Sequence, residues 1–173
     1  THAHLDHYGS AAELSHSTGA PIAIHEADAE SMSMGRTQLG QVRNLVWLSK
    51  TTLPWIEPLL TVEPTEPDII LQDGDRLDEY GVPATVVHTP GHTPGSSVLL
   101  VDNGVAIVGD LFSASSEKGH VQRSYAHDWR QIGDSLQKLQ EYEPQVFYAG
   151  HGKRPISAEQ ADQLIDEFVA RAK

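Results

Sequence analysis

Thr1-His2-Ala3-His4-Leu5-Asp6-His7 packs three imidazoles and a carboxylate into seven residues. Imidazole nitrogen and carboxylate oxygen are the donors that suit zinc and neighbouring first-row metals. In an extended segment residues two apart point the same way, so His2, His4 and Asp6 can converge on one side while His7 faces elsewhere. One short segment can then feed two adjacent metals, His2 and His4 serving one, Asp6 and His7 the other. A terminal His-rich tag would repeat His without an interleaved Asp, and further ligand-type segments would not follow it.

Such segments do follow, each marked by Gly and each preceded by an apolar run that reads as a buried strand. Thr85-Val86-Val87 leads into His88-Thr89-Pro90-Gly91-His92-Thr93-Pro94-Gly95-Ser96. Val105-Ala106-Ile107-Val108 leads into Gly109-Asp110, and Gln145-Val146-Phe147-Tyr148 into Ala149-Gly150-His151-Gly152. Loops at strand ends, held by a rigid sheet, fix donors in space, and Gly permits close backbone approach or positive φ.

The phrases H-A-H-L-D-H, G-H-T-P-G-S, G-D and A-G-H-G, in this order, resemble the metallo-β-lactamase superfamily, from residue 1 to about the final helix. The resemblance implies an α+β fold, an αβ/βα sandwich of two mixed sheets flanked by helices with a dinuclear site at one edge. It assigns His2, His4 and His92 to a first metal, Asp6, His7 and His151 to a second, and Asp110 to a bridge between them. Members of that family carry an N-terminal β-rich segment before the first motif, and this sequence starts at Thr1. The expectation is therefore one truncated domain over residues 1–173 with its N-terminal strands missing. An exposed sheet edge is expected to recruit a second copy as a homodimer, or to aggregate.

Two divalent ions sharing a water bring its pKa from 15.7 to near 7 and so hold hydroxide ready at neutral pH. The same ions stabilise oxyanion charge, and Asp6 is the candidate catalytic residue that orients the nucleophile and passes a proton to the leaving group. Zinc is the first expectation, and the same donors accept iron or manganese. Thr89, Thr93 and Ser96 are candidates to hydrogen-bond the ligands. His88 is expected to make a structural hydrogen bond. His16, His25 and His127 are read as surface or capping residues, and His120 and Arg123 as a solvated loop with a substrate contact as the alternative.

The elements that must position these groups are legible in part. Ser10-Ala11-Ala12-Glu13 fits a capping box, predicting a helix from Ser10 to Thr18 that ends at Gly19. Pro21 to Ile24 reads as a strand, and His25 to Ala29 as a turn and short helix. From Ser31 to Pro67, Met32, Met34, Trp47, Leu48, Trp55, Ile56, Leu59 and Leu60 are scattered and broken by four prolines. This stretch reads as an insertion with a helix over Gly40 to Ser49, either a lid over the metal cleft or a surface helix packed on the sandwich. Strands are expected at Ile69 to Leu71, Ala84 to Val87, Ser97 to Val101 and Val105 to Val108, with Asn103-Gly104 as a hairpin turn. Helices are expected from Asp128 to Tyr142 and from Ser157 to Ala172, the latter opening on a capping box.

Composition narrows the function. With no Cys there is no thiolate ligand, Cys nucleophile or disulfide, which fits cytoplasm. A net charge of -12 opposes binding to nucleic acid, and no apolar run approaches the ~20 residues of a membrane span. The reading is a metal-dependent hydrolase in the group resembling hydroxyacylglutathione hydrolases, using a metal-bridging hydroxide on a small ester, thioester or lactone. Two alternatives stand beside it. One is a mononuclear iron oxidoreductase resembling persulfide dioxygenases, with two His and one Asp on the iron; the other is an inactive fragment of a metallo-hydrolase.

Overall fold

The computed structural model describes residues 1–42, 51–52, 55–56 and 59–172. Helix α1 (Leu5–Tyr8) and α2 (Ala11–Thr18) come first, then β1 (Ala23–His25), α3 (Glu26–Ser33), β2 (Gln41–Val42) and β3 (Ile69–Leu71). Strands β4 (Ala84–His88), β5 (Ser97–Val101) and β6 (Val105–Gly109) follow, then the short β7 (Phe112–Ser113), β8 (His120–Val121) and β9 (Tyr125–Ala126). Helix α4 (Trp129–Gln140), β10 (Val146–Ala149), β11 (Ile156–Ser157) and α5 (Ala158–Ala172) complete the chain.

The expected α+β arrangement is present. Five strands form a mixed sheet in the order β11-β10-β6-β5-β4, and β1 pairs with β3 in parallel. β4, β5 and β6 run antiparallel, Asn103-Gly104 turning β5 into β6, while β10 lies parallel to β6. The parallel pairing matters for the site, because it brings the C-terminal ends of β6 and β10, with Asp110 and His151 beyond them, to the same edge.

Period-two alternation orients the sheet. Ala106, Val108 and Phe147 face the two long helices and are buried, whereas Ile107 and Tyr148 face away and are 40% and 49% exposed. On α4, Ile132, Leu136 and Leu139 recur at helical spacing and are fully buried in that core with Ile165 and Phe168 of α5. Asp128 caps α4 by accepting from the Arg130 amide at 2.8 Å. Ser157 and Gln160 form the predicted reciprocal capping box of α5: the Gln160 amide donates to Ser157 Oγ, and the Ser157 amide to Gln160 Oε1.

Two local expectations fail. Ser10 makes no side-chain cap, because the one-turn α1 and a helical Gly9 bring the chain in with ψ 8° at Ser10 rather than extended, so its hydroxyl misses the first-turn amides. Over the range expected to be a helix, Gln41 and Val42 form a strand paired with Ala126 and Tyr125; a long-range partner overrides local pattern there. Residues 43–49 of that range, with Trp47 and Leu48, lie outside the described residues. Among the described residues no helix is long and apolar enough to cross a membrane.

Candidate metal centre

His2 and His4 sit on the extended segment that enters the fold, tied to β5 by the Ser97 amide donating to the Thr1 carbonyl at 2.9 Å. At Leu5, whose amide donates to Thr37 Oγ1, the chain turns into α1. The alternation that would have carried Asp6 onto the face of His2 and His4 therefore stops one residue short of it. The helical turn instead swings His7 back until its ring lies 4.0 Å from that of His2.

The predicted ligand residues come together as three sets, the third of which overlaps the other two. His2 Nε2 and His92 Nε2 lie 3.1 and 3.0 Å from His4 Nδ1, with all three residues 1% exposed. Beside them, Asp6, His7 and His151 converge, and a further set joins His2, His7 and Asp110. Asp110 stands between the groups: Oδ1 is 3.2 Å from His7 Nε2, while Oδ2 is 3.4 Å from His151 Nε2 and 3.5 Å from His92 Nε2. Asp6 Oδ2 is 3.2 Å from His151 Nε2. Gly150 makes this approach possible, since a Cβ there would collide with His7 and lie 2.7 Å from Asp110 Oδ1.

The donors are in the right protonation state to hold a cation. Burial first, then the neighbouring imidazoles, push His2 well below its ordinary value; burial also lowers His4 and brings His92 down to about 4. These rings are neutral at pH 7. Burial opposes ionisation of Asp110, but the nearby His7, His92 and His151 outweigh it and keep the carboxyl below its usual range.

His4 Nε2–H donates to the Gln38 carbonyl at 2.8 Å, which leaves the Nδ1 lone pair facing His2 and His92. His2 Nδ1 has the Thr1 hydroxyl at 3.2 Å, so its Nε2 can present a lone pair as well, whereas His92 Nδ1 faces both the Tyr125 carbonyl at 3.4 Å and the Gln122 amide nitrogen at 3.0 Å. His7 Nε2 and Asp110 Oδ1 are buried 3.2 Å apart without a well-formed hydrogen bond, an arrangement that a shared cation would satisfy. The donor set thus fits divalent metal.

Sequence reasoning missed Asp28, which is 2% exposed on α3. Its Oδ2 accepts from the Ala3 amide at 2.9 Å and from Thr93 Oγ1 at 2.7 Å, and its Oδ1 from the Gly95 amide at 2.7 Å. One carboxylate thus clamps the His2–His4 segment to the His92 loop, and Gly95 has no room for a Cβ against it. Thr93 and Ser96 bond to each other, and Thr93 to Asp28, rather than to ligand rings; Thr89 reaches only the Ser96 carbonyl. Buried Gln122 was also missed: its Nε2 lies 3.0 Å from His92 Nδ1, and its Oε1 accepts from the Arg123 and Ser124 amides. No local sequence signal marks either residue.

The other histidines stand apart. His88 Nε2 bonds the Pro94 carbonyl at 2.8 Å, the structural role expected of it. His25 caps α3 by accepting from the Ala27 amide, and it is buried against the His88 ring, 3.8 Å away and nearly parallel. His16 and His127 are exposed. His120 and Arg123 line a cavity of about 350 Å³ together with Asp110, His151, Ser115 and Tyr125, so the loop read as solvated borders the centre. Thr37 and Gln38, in the stretch read as an insertion, reach the first motif through the two hydrogen bonds above.

The fold has clear counterparts. Residues 1–151 match the family model described as the metallo-beta-lactamase superfamily. An uncharacterized protein of Mycobacterium tuberculosis is 32% identical over 181 residues, spanning 99% of this chain and 75% of that one. The acyl-coenzyme A thioesterase MBLAC2 of Homo sapiens is 33% identical over 105 residues, 57% of this chain and 34% of its own length. Among solved structures, TTHA1623 in a di-iron-bound form aligns with TM-score 0.66 at 24% identity, covering 95% of this chain and 73% of that one. The BLEG-1 B3 metallo-beta-lactamase aligns with TM-score 0.68 at 20% identity, covering 94% and 71%. With its four motifs gathered at one sheet edge and the family model spanning nearly all of them, the chain belongs to the metallo-beta-lactamase superfamily.

Proposed function

We propose that this chain is a dinuclear metal-dependent hydrolase of small thioesters. The observation that carries the reading is Asp110, whose two oxygens face the His92 and the His7–His151 sides at 3.2 to 3.5 Å. His2, His4 and His92 would hold one divalent ion, Asp6, His7 and His151 the other, with Asp110 between them. Zinc, iron and manganese all suit these donors. Bound metal supplies Lewis acidity and a nucleophile at neutral pH.

The chain's own residues do the rest. Asp6 is 45% exposed in its side chain and lies beside His151. It accepts a proton from the attacking water and returns it to the departing sulfur. Water oxygen bonds to the acyl carbon, the C–S bond breaks, and a carboxylate and a thiol leave. Burial, with Asp110 and Asp6 adding to it, pushes the Tyr125 phenol up to about 12, so it stays protonated and can donate a hydrogen bond into the cavity. Thioesters are preferred over esters and lactones because the human relative named above is an acyl-coenzyme A thioesterase.

The test is hydrolysis of acyl thioesters, esters and lactones by protein loaded with zinc, manganese or iron. Thioester cleavage that is lost on chelation, restored by metal and reduced about 10²-fold or more in Asp6→Asn supports the reading. Metal-independent cleavage, or no cleavage of any of the three, overturns it. Dioxygen uptake with a persulfide and one bound iron would support the oxidoreductase instead.

A further inference from the structure

Next to the metal centre lies a second cavity of about 520 Å³, lined by Ser115, Ser116, Glu117, Lys153 and Arg154 together with Ala114 and Gly152. It continues the first cavity, because Ser115 lines both. Its Ala114 and Gly152 lining is tied to the centre, since the Ala114 amide donates to the His151 carbonyl at 2.7 Å and Ala114 bridges to Gly152. A molecule whose reacting bond sits at Asp110 and His151 therefore has a path that leads out between Ser115 and Lys153.

The charge along that path runs against the rest of the molecule, which carries 24 acidic and 12 basic side chains. Arg76, Lys138 and Arg171 are each paired with carboxylates. Lys153 and Arg154 have no ion pair among the described residues, and Arg123 on the inner cavity has none either. Glu117 is the one carboxylate of the outer lining, which leaves that lining with a net positive charge. Ser115 and Ser116 add hydroxyl donors. An outward row of guanidinium, ammonium and hydroxyl groups in an acidic protein is suited to phosphate oxygens.

We propose that this outer cavity binds the phosphate-bearing end of the leaving thiol, and so selects thioesters of a phosphorylated, nucleotide-type carrier such as coenzyme A. The inference rests on the thioesterase reading for the reacting end; the phosphate seat stands on the outer cavity alone. Lys153 and Arg154 are specificity residues that contact the carrier, and Arg123 steers it inward.

The experiment has two arms. In the first, free coenzyme A and pantetheine are titrated calorimetrically into the protein. Coenzyme A is expected to bind more tightly than pantetheine, with the difference shrinking in 0.5 M salt and falling about ten-fold or more in Lys153→Ala/Arg154→Ala, but not in the exposed control Arg171→Ala. In the second arm, kcat/KM is compared for an acyl-coenzyme A and the matching acyl-pantetheine. Their ratio is expected to fall by the same factor in the double variant. Equal binding of the two thiols, or a ratio untouched by the double variant, overturns the phosphate seat even if thioesters are cleaved. Phosphate-dependent binding without thioester cleavage keeps the seat and refutes the thioesterase reading. Preference for an acylglutathione over both substrates overturns the proposal in favour of a carboxylate-bearing thiol.

Discussion

Asp28 offers the sharpest perturbation, because one buried carboxylate holds two ligand loops that lie far apart in sequence. In Asp28→Asn the side chain keeps its shape but loses its charge and one acceptor. Turned one way, the new amide faces the Gly95 amide; turned the other, it faces the Ala3 amide, and Thr93 can adapt by donating to Ser96 instead. Either orientation leaves one buried backbone N–H unsatisfied and weakens the other bonds. A buried orphan costs about 1–3 kcal/mol and the lost charge assistance about as much again, so the variant should be roughly 3 kcal/mol less stable. For a chain of this size that lowers Tm by roughly 6–12 °C. The same change loosens His2, His4 and His92 together, and metal affinity should fall about 10- to 100-fold, as is usual when the partners that orient ligands are lost. Urea unfolding of metal-free protein reads the first quantity, and competition with a chelator the second. A variant with wild-type metal affinity, or one within about 0.5 kcal/mol of wild type, would refute the clamp.

Gly150→Ala should damage the second metal position selectively, because the atoms nearest the new Cβ belong to His7 and Asp110; titration with zinc should show one strong site retained and one weakened. Metal-free protein should lose stability on acidification. His92 titrates near 4 when folded and 6.5 when unfolded, so below pH 6.5 the unfolded chain takes up a proton that the folded chain refuses. Between pH 7 and pH 5 this group alone removes roughly 2 kcal/mol, with His2 and His4 acting in the same direction, so the urea midpoint should fall and His92→Gln should show a fall smaller by about the His92 share. Leu136→Ala, in the core between the sheet and the long helices, should cost about 2–5 kcal/mol in unfolding free energy while leaving the metal stoichiometry of the folded protein unchanged.

What the sequence made legible was local or motif-borne. Asn103-Gly104 set its hairpin, Ser157 and Gln160 set their cap, and the four ligand phrases announced the side chains that converge at one sheet edge. What it hid depends on distant partners. Asp28 acts through atoms 25, 65 and 67 residues away, two of them backbone amides that any residue type would offer. Gln41 and Val42 form a strand only because Tyr125 and Ala126 supply its other half. The turn at Leu5, which moves Asp6 off the His2–His4 face, is stabilised by the Thr37 hydroxyl, 32 residues downstream. In each case a distant partner, rather than the local pattern, decided the outcome.

The central claim, that Asp110 stands between two metal positions, is tested most directly by metal content per folded chain. Protein dialysed against zinc, iron or manganese should retain about two divalent ions per chain, and His151→Ala about one, with the remaining ion on His2, His4 and His92. Retention of one ion by wild type and by His151→Ala alike, or of none by wild type, would contradict the account.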